Sequence, residues 1–173
     1  MNSITVKAYA KINLGLDVIR KRPDGYHDVS MIMQTVNLYD TINIKKTKFQ
    51  SVTIRSNLYY LPTDRRNLVY KAIELFRENH PIRSGLNVFL NKRIPVAAGL
   101  AGGSADAAAT LKGLNRLYQA GLSLEELMKL GVKLGADVPY CLLMGTALSE
   151  GIGEILKPLA PMPDCSILLV KPD

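Results

Sequence analysis

The stretch Pro95-Val-Ala-Ala-Gly-Leu-Ala-Gly-Gly-Ser-Ala-Asp-Ala-Ala108 constrains this chain more than any other. Gly99, Gly102 and Gly103 admit backbone turns that other residues resist. Most of the remaining side chains are methyl-sized, so backbone N–H groups can come close to a ligand. The apolar run Leu86–Leu90 ahead of the loop reads as a strand, and Ala105–Tyr118 behind it reads as a helix. A loop that feeds a helix N-terminus presents unpaired N–H groups and the positive end of the helix dipole, which suits an anion. Ser104 adds a hydroxyl there. The direct inference is a phosphate cradle, although a tight strand-to-helix turn with no ligand has the same composition. The loop is not a P-loop, because no Gly-Lys-Ser/Thr follows, and its spacing does not fit GxGxxG.

The rest of the chain supplies a setting for this loop. Ile4, Val6, Ala8, Ala10, Ile12, Leu14, Leu16 and Val18 alternate as one face of a strand. Lys11 and Asn13 then share the opposite, polar face, where a lysine is ordinarily solvated. Asp24-Gly25 marks a hairpin turn within residues 21–27. Strands are expected at 29–36, 41–45 and 51–55. Helical spacing takes over at Leu68, Val69, Ala72, Ile73, Leu75 and Phe76 and ends before Pro81. Ser123 and Glu126 form a capping box that opens a helix ending near Gly135. Pro139 suits the first turn of a further short helix. Ser166–Val170 reads as a buried strand. Strands and helices do not alternate as in a doubly wound sheet, so the expected class is α+β.

Charge and cysteine content narrow the chemistry. The formal net charge is +7. The excess lies in residues 1–93, while the remainder is slightly acidic. A basic first half suits phosphates of a small ligand or nucleic acid, or is simply a basic surface. Cys141 and Cys165 stand in no CxxC or Cys/His pattern, which argues against a metal site or a disulfide framework. No signal peptide and no membrane-length apolar run is evident, so a reducing cytoplasm is the expected setting.

Two further strings matter beyond their single residues. Asp137 lies in Gly135-Ala-Asp-Val-Pro139, a carboxylate at an expected helix start, where an ordinary N-cap is the alternative. Lys11 lies in Ala8-Tyr-Ala-Lys-Ile-Asn-Leu14. Together with the glycine loop, these strings resemble the three corresponding segments of the GHMP kinases. Tyr9 stands where that family usually has proline, which would preset the backbone before the lysine.

The resemblance implies several things. The fold would be the GHMP kinase N-terminal domain, an α+β two-layer sandwich like that of ribosomal proteins. It would span residues 1–160, with 161–173 the start of a C-terminal domain largely absent from this chain. The similarity runs from Ile4 to Pro172 and includes Gly145–Glu154. Pro95, Val96, Ala97, Ala98, Gly99, Leu100, Ala101, Gly102, Gly103, Ser104 and Ala105 would wrap the phosphates of ATP, with Asn67 near the adenine. Asp137 would orient a substrate hydroxyl and accept its proton. Lys11 would favour the charged carboxylate and offset charge at the transferring phosphoryl. Mg²⁺ would accompany ATP, with its protein ligands left open.

The string Arg22-Pro-Asp-Gly-Tyr-His27, with Met31-Ile-Met-Gln-Thr35, is similar to the members that phosphorylate cytidine-diphosphate-linked methylerythritol in isoprenoid precursor synthesis. By that resemblance Tyr26 stacks on cytosine, His27 bonds its edge and Asn13 touches the substrate. Family members are longer and bind their ligands between two domains. A non-catalytic nucleotide- or RNA-binding module derived from such a kinase is therefore a second expectation. A GHMP kinase for another small substrate, such as mevalonate or homoserine, is a third.

Overall fold

The computed structural model describes residues 1–171, so the last two residues of the expected second-domain segment lie outside the described residues. Strands β1 (Ser3–Lys21) and β2 (His27–Thr47) form a long antiparallel hairpin. Then come β3 (Val52–Ser56), α1 (Leu68–Asn79), β4 (Gly85–Asn91), α2 (Gly102–Tyr118), α3 (Leu124–Val132), α4 (Val138–Leu143), β5 (Thr146–Gly151) and β6 (Ile155–Pro158).

β2 organises the sheet. β1 runs along one side of it, while β4 and β5 divide the other side between them. β4 takes residues 41–47 and β5 takes 29–34, so the segment between faces neither. β3 pairs parallel with β4, and α1 is the crossover that a parallel pair needs. The helices cover one face only. Ile4, Val6, Ala8, Ile42, Ile44, Leu86, Val88 and Leu90 point into that layer. There they meet Val69, Ile73 and Phe76 of α1 and Leu111 and Leu114 of α2. Thr5, Lys7, Asn87 and Phe89 face away and are exposed. This is the α+β two-layer arrangement expected, with period-two strands on period-3.6 helices.

Five local expectations need correction. Alternation along β1 does not survive its length: Leu14, Leu16 and Val18 are exposed, whereas Ala8 and Ala10 are buried. Register irregularities at Tyr9/Lys11, Asn13/Gly15 and Val18/Arg20 break the parity. Each such bulge adds twist, and the distal hairpin leaves the helical layer. Second, Lys11 is buried rather than solvated, because the first irregularity falls beside it. Third, the strands expected at 29–36 and 41–45 are one strand, which pairs with β1 on both sides of the irregularity at residues 36–38. Fourth, α2 begins at Gly102, three residues early, since the glycines themselves adopt the first helical turn. Fifth, Ser166–Val170 is exposed coil with no ladder partner among the described residues, and without a partner an apolar run has no strand to join. β5 and β6 were not foreseen as strands.

Among the described residues, no helix is long and apolar enough to cross a membrane. Both cysteines are free thiols.

Candidate active site

The glycine loop forms one wall of a cavity of about 510 Å³. Its other walls come from five places: Lys11 of β1, Leu61, Pro62 and Arg66–Leu68 ahead of and into α1, Lys92 after β4, Asp106 of α2, and Asp137 before α4. Residues that lie far apart in the chain therefore meet here because β1, the loop and α4 converge on the N-terminal end of α2.

The loop is pinned near its middle. The Leu100 carbonyl accepts the backbone N–H of Lys11 at 3.1 Å, which clips the loop to β1. At the next residue the Ala101 carbonyl accepts the Ala105 N–H at 2.8 Å and starts the helix. Gly99 has φ +72°, where an L side chain is strained. Gly102 is needed for a different reason. A Cβ there would lie 3.0 Å from the Ile94 side chain and 3.1 Å from Lys92 Nζ.

Two alanines share the left-handed region with the glycines, Ala97 at φ 57° and Ala101 at φ 55°. Ala101 is the N-cap of α2 and makes no side-chain cap bond. Ala101→Gly is therefore expected to stabilise the chain by about 0.5–1 kcal/mol, because relief of left-handed strain exceeds the added freedom of the unfolded chain. Urea unfolding checks this, and a loss of stability would mean that the loop tolerates the alanine without strain.

Lys11 and Asp137 come together as expected. Lys11 Nζ lies 3.9 Å from Asp137 Oδ2 and donates to Asn13 Oδ1 at 3.2 Å. The lysine side chain is buried and the aspartate is partly exposed to the cavity. Asp137 occupies the N-cap position of α4, but its side chain makes no capping hydrogen bond. Its carboxylate is thus left free for other work. The position of α4 is set from below: Tyr140 OH donates to the Gly145 carbonyl at 2.6 Å and lies 3.1 Å from Thr35 Oγ1 on β2.

Other expected residues are distributed unevenly. Pro95 to Ser104 and Asn67 line the cavity, whereas Ala105 is buried in α2 and does not. Asn67 caps α1: its Oδ1 accepts from Val69 N at 2.9 Å and its Nδ2 donates to the Pro62 carbonyl at 2.7 Å. Tyr9 does not line the cavity either; its ring lies 5.2 Å from that of Tyr39. Asn13 reaches the site only through Lys11. Tyr26 and His27 lie at the far end of the hairpin, outside the cavity and exposed. Their turn is ordered by Arg22, which bonds Asp24 and Asp28, and by Arg20 on Asp28. These arginines hold both carboxyls below the usual range.

Sequence reasoning missed a buried cluster beneath the loop. Lys92 Nζ contacts Asp40 Oδ2 at 2.5 Å and Asp106 Oδ2 at 2.7 Å. Asp40 Oδ1 accepts the backbone N–H groups of Arg93 and Ile94, which fixes the entry to the loop. Asp106 was visible as a lone carboxylate among alanines on a helix, but nothing in the sequence connects it to Asp40. Arg66 also lines the cavity and was not singled out.

Comparison with known proteins gives the geometry a family context. Residues 67–145 match the family described as GHMP kinases N terminal domain. Over 172 residues the chain is 66% identical to the 4-diphosphocytidyl-2-C-methyl-D-erythritol kinase of Lachnoclostridium phytofermentans, covering 99% of this chain and 59% of that protein. The enzyme of the same name from Lachnospira eligens is 57% identical, with 99% of this chain and 60% of the relative covered. A crystal structure of 4-(cytidine 5'-diphospho)-2C-methyl-D-erythritol kinase superposes with a TM-score of 0.76 at 40% identity, over 91% of this chain and 55% of that one. The chain thus spans about three-fifths of the length of the curated relatives it matches.

Proposed function

We propose, from the premise that this chain belongs to the GHMP kinases and carries their N-terminal domain, that it serves the ATP-dependent phosphorylation of 4-diphosphocytidyl-2-C-methyl-D-erythritol at its 2-hydroxyl. That reaction is a step of non-mevalonate isoprenoid precursor synthesis. The observation that carries the reading is the Lys11–Asp137 pair at 3.9 Å, in the wall of the cavity that the glycine loop encloses.

The chain's own groups divide the work. Backbone N–H groups of residues 96–104, which run into the start of α2, would receive the triphosphate. Asn67, Leu61 and Pro62 border the cavity, and the adenine would lie near Asn67. Asp137 orients the attacking hydroxyl and accepts its proton, while Lys11 balances charge around that carboxylate and the transferring phosphoryl. Phosphoryl transfer depends chiefly on such positioning and electrostatics. Asp106 and Asp137, the carboxylates that line the cavity, each already face a lysine. Mg²⁺ would therefore be held mainly by phosphate oxygens, where it neutralises developing charge.

Residues 1–160 would form the nucleotide-binding domain, with the following segment leading into the rest of a two-domain cleft. Asn13, Tyr26 and His27 would hold the cytidine diphosphate end of the substrate. A reducing cytoplasm is part of the same proposal and accords with the free thiols of Cys141 and Cys165.

Incubation of the chain with Mg²⁺, ATP and the cytidyl substrate, with phosphorus NMR of the product, tests the reaction. Tyr26→Ala is expected to weaken binding of cytidine diphosphate by about 5- to 150-fold, since base–aromatic stacking contributes about 1–3 kcal/mol. ATP-analogue binding should be unchanged. Equal cytidine affinity in the variant would sink the substrate assignment, and absence of any nucleotide binding would sink the kinase reading itself.

A further inference from the structure

The cavity wall holds an ionisable group that the reaction above does not use. Asp40 and Asp106 share the single ammonium of Lys92, so the cluster carries more carboxylate than cation. Asp40 is fully satisfied. Its Oδ2 accepts from Lys92, and its Oδ1 accepts from Arg93 N at 2.5 Å and Ile94 N at 2.8 Å. Asp106 is not. Its Oδ2 accepts from Lys92 Nζ at 2.7 Å, while its Oδ1 is buried with no hydrogen-bond partner. The residue is 3% exposed, and it lines the cavity beside the glycine loop.

A buried oxygen without a partner is costly, and an excess negative charge in the wall of a polyanion site is costly again. One change removes both. A proton on Oδ1 neutralises the cluster and turns the orphaned acceptor into a donor, and a phosphate oxygen in the cavity is the acceptor it lacks. We propose that Asp106 is a phosphate-binding residue that acts as a neutral acid: it takes up a proton from solvent as the polyphosphate enters and donates that hydrogen to a phosphate oxygen. This rests on the nucleotide reading of the cavity.

The surroundings support the assignment. Burial raises the Asp106 carboxyl to about 7; Lys92 pulls it down and Asp40 pushes it up. The neutral form is therefore accessible near neutrality. Burial works against the charge on Lys92, but Asp106 and Asp40 together outweigh it and the ammonium is retained. The other charged or titratable groups around Asp106 are Lys11 of β1, Arg66 ahead of α1, Lys112 on α2 itself, and Asp137 and Cys141 at α4. Burial holds the Cys141 thiol up at about 12, so it stays uncharged, and lowers Lys112. Lys11 and Arg66 attract phosphate in either state of Asp106. A cation at Asp106 would be the opposite chemistry, and the Lys92 ammonium at 2.7 Å opposes it.

Proton counting decides the matter. ADP and the β,γ-imido analogue of ATP are titrated calorimetrically into the chain and into Asp106→Asn, in buffers of different ionisation enthalpy. Above about pH 7 the unaltered chain should take up more protons than the variant. Its affinity should fall, relative to the variant, by up to about tenfold per pH unit. Titration of the nucleotide's own phosphates is common to both proteins and cancels in the difference. Equal proton counts with binding intact overturn the proposal and leave the nucleotide reading standing, as does an excess proton release. No binding by either protein at any pH overturns both.

A ligand-free readout comes from unfolding. The folded carboxyl, at about 7, lies above the ordinary 3.8, so the folded state binds the extra proton between these values. The unaltered chain should therefore lose stability as pH rises through that window, relative to Asp106→Asn. Parallel profiles would count against the proposal. If the variant does not fold, the infrared band of protonated carboxyl in the unaltered chain decides: it must gain intensity on analogue binding above about pH 7, and no gain overturns the assignment.

Discussion

Asp137→Asn is expected to cut phosphoryl transfer by about two to four orders of magnitude, the span that a positioned general base contributes. Asparagine keeps the shape and can still orient a hydroxyl, but it cannot take the proton. The fold should hardly notice. Asp137 makes no side-chain cap bond to α4, and Lys11 keeps its bond to Asn13. The stability change should stay within about 1 kcal/mol, because the only pairing lost is the long one to Lys11, and Asp137 itself is about a third exposed. Affinity for an ATP analogue should change little, because on the proposed reading the loop backbone would supply most of that contact. The diagnostic result is a fall in kcat with KM for ATP nearly constant. Turnover within about threefold of the unaltered protein would place the proton acceptor elsewhere. A matching loss of stability would instead return Asp137 to an ordinary structural role.

Lys92→Met is expected to cost about 3–5 kcal/mol of stability, the range seen when one partner of a buried ion pair is removed. Lys92 is 8% exposed and is the cation for both Asp40 and Asp106. Methionine fills much of the volume but leaves two carboxylates facing each other in a dry pocket. The loss is a large share of the roughly 5–15 kcal/mol that holds a domain folded. Asp40 still receives two backbone donors, so the strain should fall mainly on Asp106. Adding Asp106→Asn to Lys92→Met should then recover part of the loss, and urea midpoints for the single and double variants measure it. A single-variant cost below about 1 kcal/mol would mean that water, rather than Lys92, satisfies these carboxylates. The same variant should loosen the loop entry, because Asp40 holds the backbone of Arg93 and Ile94.

Much of the site was readable before any coordinates, for local reasons. The glycine loop, the helix behind it, the Ser123 capping box and the hairpin turn at Gly25 all depend on neighbours within a few residues. Backbone propensity acts over that same range. The errors arose where distance in sequence mattered. Leu14, Leu16 and Val18 keep perfect alternation, yet bulges in the β1–β2 ladder turn them out to solvent. Ser166–Val170 has the composition of a buried strand and no ladder to join. β5 was overlooked because Thr146–Gly151 has only two apolar side chains in its six positions, and pairing with β2 rather than apolar content makes it a strand.

The sequence by itself determined that a helix would rise from a glycine-rich turn and that strands would pack on helices. Each of these follows from residues that act on their own neighbourhood. Only the tertiary structure decided that Lys11 would be buried beside Asp137, that Tyr26 and His27 would stand outside the cavity, and that Asp40, Lys92 and Asp106 would share one ammonium under the loop. The reason is physical. A charge buried in a dry interior takes its properties from whichever groups the fold brings within a few ångströms, and those groups come from β2, the residue after β4, and α2, which no local pattern relates.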